Sequence, residues 1–186
     1  MRLTQRIKHV LRLFVTALLL TFTPGMFATA AVNDGIIAVF LYNFSNFIEW
    51  PPTAFQRNAN LEICLLGKVD FADTMRNFEG TPIRGHPLRI VATQDEQMVL
   101  GGCHILYVGL DRRADLQRFL KNLNHMFVLS VGENDKFLED GGTINIVRTK
   151  DQAQFSIDLD KAVQNGLTVS SDLLELATVI NENWNQ

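Results

Sequence analysis

Cysteine is scarce in this sequence, because only Cys64 and Cys103 occur among 186 residues. They do not form a C-x-x-C pair, and the histidines lack H-x-x-x-H spacing, so the common zinc and dithiol motifs are absent and no metal site is predicted. In an oxidising compartment, two cysteines separated by 39 positions favour a disulfide. The alternative is a pair of separately buried thiols.

Motifs for nucleotide binding and for nucleophilic catalysis are also lacking. The loop that begins at Gly67 holds one glycine where G-x-G-x-x-G needs three. Neither a G-x-x-x-x-G-K-[ST] phosphate loop nor a G-x-S-x-G elbow is present. No cofactor is therefore predicted.

The N-terminal apolar run, residues 13–22, is about half of the length that a membrane crossing needs. Four basic residues precede it, and Pro24-Gly25 and the small residues Ala28 and Ala30 follow it. This order is typical of a signal peptide over residues 1–30 and predicts cleavage after about Ala30, with export of residues 31–186 to the periplasm. The alternative is an uncleaved N-terminal anchor. No lipobox cysteine is present, so a lipid anchor is not expected.

Basic residues are few once the signal peptide is removed. Four of the 17 Lys and Arg residues precede position 31 and none of the 20 Asp and Glu residues does, so 13 basic and 20 acidic side chains remain, a net charge of −7. A domain with that balance and no clustered Lys/Arg stripe lacks the electrostatic footprint of a nucleic-acid binder. We expect neither nucleic acid nor an anionic membrane surface as its partner.

Strand and helix patterns alternate through the middle of the chain. Apolar runs predict strands at 61–66, 88–92, 103–108 and 126–131, and amphipathic segments predict helices at 34–50, 70–78, 95–100 and 112–123. A hairpin at 143–147 and 153–159 and helices at 159–165 and 171–180 complete the pattern. The sequence predicts one α/β domain with a mainly parallel mixed β-sheet of about six strands, flanked by helices on both faces.

The predicted helix at 34–50 is apolar on more than one face. Asp34 is its expected N-cap, and Pro51-Pro52 end it. Its surface is either sandwiched between the sheet and neighbouring segments or turned partly toward another chain. In the second case its aromatic residues are the expected partner-binding anchors: Phe40, Tyr42, Phe44, Phe47 and Trp50.

Ligands of doubly wound sheets bind beyond the carboxyl ends of the strands. The loops there supply Gly67, Asp70, Asp111 and Glu133 as expected ligand-binding residues. The acidic residues, with Asp135, could also bind a cation or act as an acid/base pair, but carboxylates at such positions are also ordinary helix caps. Catalysis is the least favoured function, and no catalytic residue is assigned.

Five segments give the chain a family resemblance over residues 36–180. They are LYNF and FIEWP at 41–51, ICLLG at 63–67, CHIL at 103–106, GGTI at 141–144, and GLTVSS at 166–171 followed by LL and LA at 173–177. In this order behind a signal peptide, they resemble the YfiR family of periplasmic proteins. The Cys64 and Cys103 pair matches the disulfide that ties the first strand to the central one in that family.

The resemblance implies a small periplasmic regulator, often dimeric, that binds the periplasmic sensing part of an inner-membrane diguanylate cyclase and keeps it inactive. It also implies that an outer-membrane lipoprotein can sequester the repressor, so that cyclic di-GMP rises and biofilm formation follows. A homodimer is among the implied assemblies. The alternative function, based on the loops alone, is a periplasmic sensor of a small metabolite.

Overall fold

The structure is a computed structural model that describes residues 30–110, 112–148 and 152–180. Six helices occur in these segments: α1 Ala30–Phe47, α2 Ala72–Met75, α3 Glu96–Val99, α4 Arg113–Lys121, α5 Leu159–Gln164 and α6 Ser171–Leu176. The strands are β1 Ile48–Glu49, β2 Leu61–Gly67, β3 Pro82–Ile83, β4 His86–Thr93, β5 Ile105–Gly109, β6 Leu129–Gly132, β7 Ile144–Arg148, β8 Ala153–Asp158, β9 Thr168–Val169 and β10 Thr178–Ile180. Two 3-10 turns lie at Pro52–Phe55 and Arg76–Phe78.

Seven strands form the central sheet, in the order β10-β8-β7-β6-β5-β2-β4, and β3 adds a short antiparallel extension beside β4. All neighbours among the seven are parallel except β7 and β8, which form the predicted antiparallel hairpin. The predicted mainly parallel mixed sheet is thus confirmed, with one strand more than expected.

Both faces of the sheet are covered by helices. Along β2, Ile63 and Leu65 contribute to one apolar core while Cys64 and Leu66 contribute to a second core on the opposite face. Helices α1, α2, α5 and α6 pack on the first face, and α3 and α4 pack on the second. Strands buried on both sides read as continuous apolar runs, which is why β2 and β5 were predictable from sequence.

Three sequence predictions about element ends need correction. Within the described residues, helix α1 covers Ala30–Phe47, so Asp34 lies inside it and is not its N-cap, and the helix ends at Phe47. The next two residues form β1, which pairs with β9 in a separate two-stranded sheet. The predicted helix at 171–180 stops at Leu176, and Thr178–Ile180 instead adds a parallel strand to β8.

Cys64 on β2 and Cys103 just before β5 form a disulfide, with their Cα atoms 5.8 Å apart. The predicted pairing is confirmed, and the alternative of two separate thiols is wrong. The bond lies in the core on the α3 and α4 face, where both cysteines are buried.

Within the described segments, no helix combines the length and the apolar character needed to span a bilayer.

Candidate functional site

The loops after β2, β5 and β6 border one cleft at the carboxyl edge of the sheet, with a volume of about 390 Å³. Asp70 and Glu133 both line it, together with Lys68, Tyr107 and Gly109. The structure therefore brings two of the four predicted ligand-binding residues to the same cavity. Asp111, a third, lies outside the described residues.

Gly67, the fourth predicted residue, has a structural reason to be glycine. It ends β2 with a φ of +87° and pairs in register with Gly109 at the end of β5. A Cβ on Gly67 would overlap the Gly109 carbonyl, and a Cβ on Gly109 would overlap the Lys68 carbonyl. The two backbones approach too closely for side chains at either position.

Glu133 is held by two protein groups at the edge of the cleft. The hydroxyl of Tyr107 donates a hydrogen bond of 2.6 Å to one carboxylate oxygen, and Arg148 Nε lies 2.5 Å from the other. Burial, and then the neighbouring Glu133 carboxylate, raise the pKa of Tyr107 above its ordinary value, because both disfavour the phenolate. Sequence reasoning found Glu133 but missed Tyr107 and Arg148, which lie far from it in the sequence.

Both carboxylate oxygens of Glu133 therefore already have a protein partner. Asp70 is exposed at the mouth of the cleft. Among the described residues, no three His, Cys, Asp or Glu side chains are grouped so that they could hold a metal ion.

The predicted partner-binding aromatics occupy different environments. Phe44 is 1% exposed and packs in the core, with its ring centroid 5.1 Å from that of Phe155. Phe40 is half-buried against Phe155, Tyr42 stacks on Phe78 at 4.6 Å, and Phe47 is half-buried. The aromatic residues of α1 therefore mostly serve the fold.

Trp50 is a core residue, not an exposed anchor. Its side chain is buried, and Nε1 donates a hydrogen bond of 2.9 Å to the carbonyl of Phe127. A tryptophan that is buried with its N–H satisfied stabilises its own chain. This placement and that of Phe44 correct the expectation that all five aromatics are available to a partner.

The outer face of α1 consists of Ile36, Val39, Asn43 and Asn46, which lie on one stripe of the helix. Val39 is 48% exposed and is one of the large apolar side chains that the described surface leaves open to solvent. Residues 35–47 include no charged side chain. The described outer face of α1 is therefore uncharged and partly apolar.

A family model described as DUF4154, YfiR/HmsC-like, matches residues 35–178. None of the curated proteins compared matches the chain. Among solved structures, a conserved domain protein from Vibrio cholerae O1 biovar El Tor is similar at 12% sequence identity and a TM-score of 0.46. That alignment covers 65% of this chain, which spans only about half, 54%, of the Vibrio chain.

Proposed function

The chain belongs to the YfiR/HmsC-like family, and on this premise we propose that it is a periplasmic regulatory protein that binds and represses an inner-membrane diguanylate cyclase. The family is periplasmic and regulatory, and its members act with partner proteins in cyclic di-GMP signalling. The observation on which the proposal rests is the match of the family model across residues 35–178. Export by the signal peptide over residues 1–30, and the cleavage after Ala30, are parts of the same proposal.

The outer face of α1 is the proposed contact surface for the cyclase. Interface cores are depleted of charged residues, and this face has none while it exposes Val39. We expect Val39, and not Phe44 or Trp50, to be the anchor residue of this contact, because the side chains of Phe44 and Trp50 are buried in the core. Phe40, Tyr42 and Phe47 border the surface as half-buried residues.

Repression through binding requires different affinities for the two conformations of the cyclase. The protein must bind the inactive conformation of the cyclase more tightly than the active one, since a ligand with equal affinity for both shifts nothing. An outer-membrane lipoprotein that competes for the repressor would release the cyclase by mass action. A homodimer that uses the outer face of α1 would compete in the same way.

The alternative function, sensing of a small metabolite in the carboxyl-edge cleft, has weaker support. Convergence of three loops around about 390 Å³ favours it. Glu133, however, is already paired with Arg148 and Tyr107, so a ligand would have to displace protein contacts to use it.

A photo-reactive amino acid at position 39 tests the proposal. In the native host, we expect irradiation to join it to an inner-membrane protein that contains a diguanylate cyclase domain. The matched control is the same amino acid at position 98, because Met98 is 58% exposed on α3, which packs on the other face of the sheet. Cross-links to the cyclase from both positions, or from neither, would argue against the proposed surface.

A further inference from the structure

A second pocket lies at the amino-terminal edge of the sheet, opposite the carboxyl-edge cleft. The residues that line it come from the 3-10 turn after β1, from the loop between α3 and β5, and from the loop before β6. Its volume is about 320 Å³, which is at the small end of the range for small-molecule sites. Nothing in the proposed function uses this pocket.

His104 lines the pocket and has an unsatisfied polar atom. The side chain is 2% exposed, and its Nδ1 accepts a hydrogen bond of 3.1 Å from the main-chain N–H of Glu62. The neutral ring therefore has its proton on Nε2. Within the described part of the chain, Nε2 makes no hydrogen bond of normal geometry; the Ala54 carbonyl lies near enough to favour the protonated ring but does not complete a bond to it. A buried donor without a partner is destabilising, so this position calls for an acceptor.

The imidazole is fixed in orientation by its neighbours. One face stacks on Phe55 with ring centroids 4.5 Å apart, and Trp50 meets the ring edge-on at 5.9 Å. Burial, with a smaller effect of His86, lowers the pKa of His104 to about 4, while the Ala54 carbonyl opposes this shift. At neutral pH the group is an uncharged N–H donor, not a cation.

The loop before β6 is held in a costly conformation beside the pocket. His125 and Phe127 both have left-handed backbones, with φ of 61° and 58°, which is rare for residues other than glycine. Tertiary hydrogen bonds hold the loop, because Trp50 donates to the Phe127 carbonyl and Asn165 donates to the Val128 carbonyl at 3.1 Å. Strain that is fixed by surrounding structure is a common property of ligand sites.

The charged residues that line the pocket indicate which class of ligand it binds. Arg57 lies at the pocket, with its guanidinium 3.4 Å from the Gly101 carbonyl, and His125 is also part of the lining. None of the described lining residues is acidic. The rest of the lining includes the apolar side chains of Leu100, Met126 and Val128. An anion with a short apolar portion fits this combination.

We propose that this pocket binds a small organic carboxylate, with His104 Nε2–H donating to one carboxylate oxygen and Arg57 balancing the charge. The apolar part of the ligand would lie against Leu100, Met126 and Val128. Because Cys103 also lines the pocket, the ligand would contact the segment that the disulfide ties to β2. The site is independent of the proposed cyclase partner and can be tested on the isolated protein.

The experiment is calorimetric titration of the protein, produced from its full-length gene, with benzoate and with hexanoate. Benzamide is the uncharged counterpart of benzoate. We expect one of the two carboxylates to bind with a Kd of about 1 mM or tighter, and benzamide to bind at least about tenfold more weakly. Failure of both carboxylates to saturate the protein, or equal binding of the amide, would overturn the proposal.

Variants assign the binding to this pocket. His104→Phe keeps an aromatic ring against Phe55 and should weaken binding about tenfold. Arg57→Gln should weaken it about threefold, as expected for a partly solvated charge. The matched control, Arg76→Gln, changes an exposed arginine outside the pocket lining and should bind as the wild type does. Wild-type affinity in both pocket variants would overturn the site.

If His104→Phe does not fold, nitrogen NMR of the His104 imidazole in the wild-type protein tests whether the carboxylate binds at Nε2. Direct donation to a carboxylate should move the His104 Nε2 nitrogen resonance at saturating benzoate. An unmoved resonance at saturation would show that the carboxylate binds elsewhere, the carboxyl-edge cleft included.

Discussion

Trp50 donates the hydrogen of its indole N–H to the main-chain carbonyl of Phe127 at 2.9 Å, across 77 positions of sequence. The bond joins the segment that follows α1 to the strained loop before β6. Replacement of Gly166 would disturb the same junction, because a Cβ there would meet the Phe127 ring at 2.8 Å. Trp50 thus belongs to the core of the domain.

We expect Trp50→Phe to lower the free energy of unfolding by about 1–3 kcal/mol, because it removes the N–H partner of the half-buried Phe127 carbonyl and leaves a space in the core. Urea unfolding followed by circular dichroism measures this change. Tyr42→Phe, which alters a half-buried aromatic on α1, is the control and should stay within about 0.5 kcal/mol of the wild type. Equal stability of Trp50→Phe and wild type would contradict the assigned role.

The disulfide between Cys64 and Cys103 closes a loop with a sequence separation of 39. We expect the double variant Cys64→Ala/Cys103→Ala to be less stable by about 4 kcal/mol, from the chain entropy that the open loop regains in the unfolded state. Thermal and urea unfolding test this expectation. Reductant should destabilise the wild-type protein by a comparable amount and leave the double variant unchanged. If reductant also destabilised the double variant, the effect of reductant on the wild-type protein would have a cause other than loss of the Cys64–Cys103 bond.

Tyr107 provides a prediction for alkaline pH. Its pKa is raised in the folded protein, so the folded state holds the phenolic proton more tightly than the unfolded state. The resulting stability is fully present below the unfolded pKa of about 10 and is lost as the pH rises above it. In a Tyr42→Phe background Tyr107 is the remaining tyrosine. Tyrosinate absorbance should then be absent at a pH of about 10 in the folded protein and about half-maximal in urea. Half-maximal absorbance in the folded protein would contradict the buried Tyr107–Glu133 contact.

The outer face of α1 gives a prediction about partner binding. Val39→Glu should abolish capture of the cyclase while changing the free energy of unfolding by no more than about 0.5 kcal/mol, since the side chain is 48% exposed. Met98→Glu is the matched control on the opposite face and should bind as the wild type does. Loss of folding in Val39→Glu would instead place the residue in the core.

The sequence was sufficient to predict strands that are buried on both faces. Ile63 to Leu66 and Ile105 to Val108 read as unbroken apolar runs because each side chain meets one of the two cores. The cysteine pair was also predictable, since its export context and its spacing both favour a disulfide.

The end of the chain was not predictable in the same way. Leu173, Leu174 and Ala177 continue a helical spacing, and that spacing predicted a helix to residue 180. Thr178–Ile180 is β-branched throughout and pairs with Ser156–Asp158 of β8. Pairing with a strand edge distant in the sequence therefore overrode the local pattern.

The candidate sites show a similar limit. A segment that is apolar on more than one face does not reveal which of its faces the rest of the chain covers, so Phe44 and Trp50 were indistinguishable from Val39 at the level of sequence. Contacts such as Tyr107 with Glu133 depend on strand order, which no local motif encodes. His104 lies at the start of the predicted strand at 103–108, and no motif in the sequence marks it as a binding residue.

The most direct test of the central claim is intracellular cyclic di-GMP in the native host, measured with the gene deleted and then restored. We expect the level to rise on deletion and to return when the wild-type gene is restored. Restoration with Val39→Glu, at an equal amount of exported protein, should leave the level high. An unchanged level on deletion would contradict repression of a cyclase by this protein.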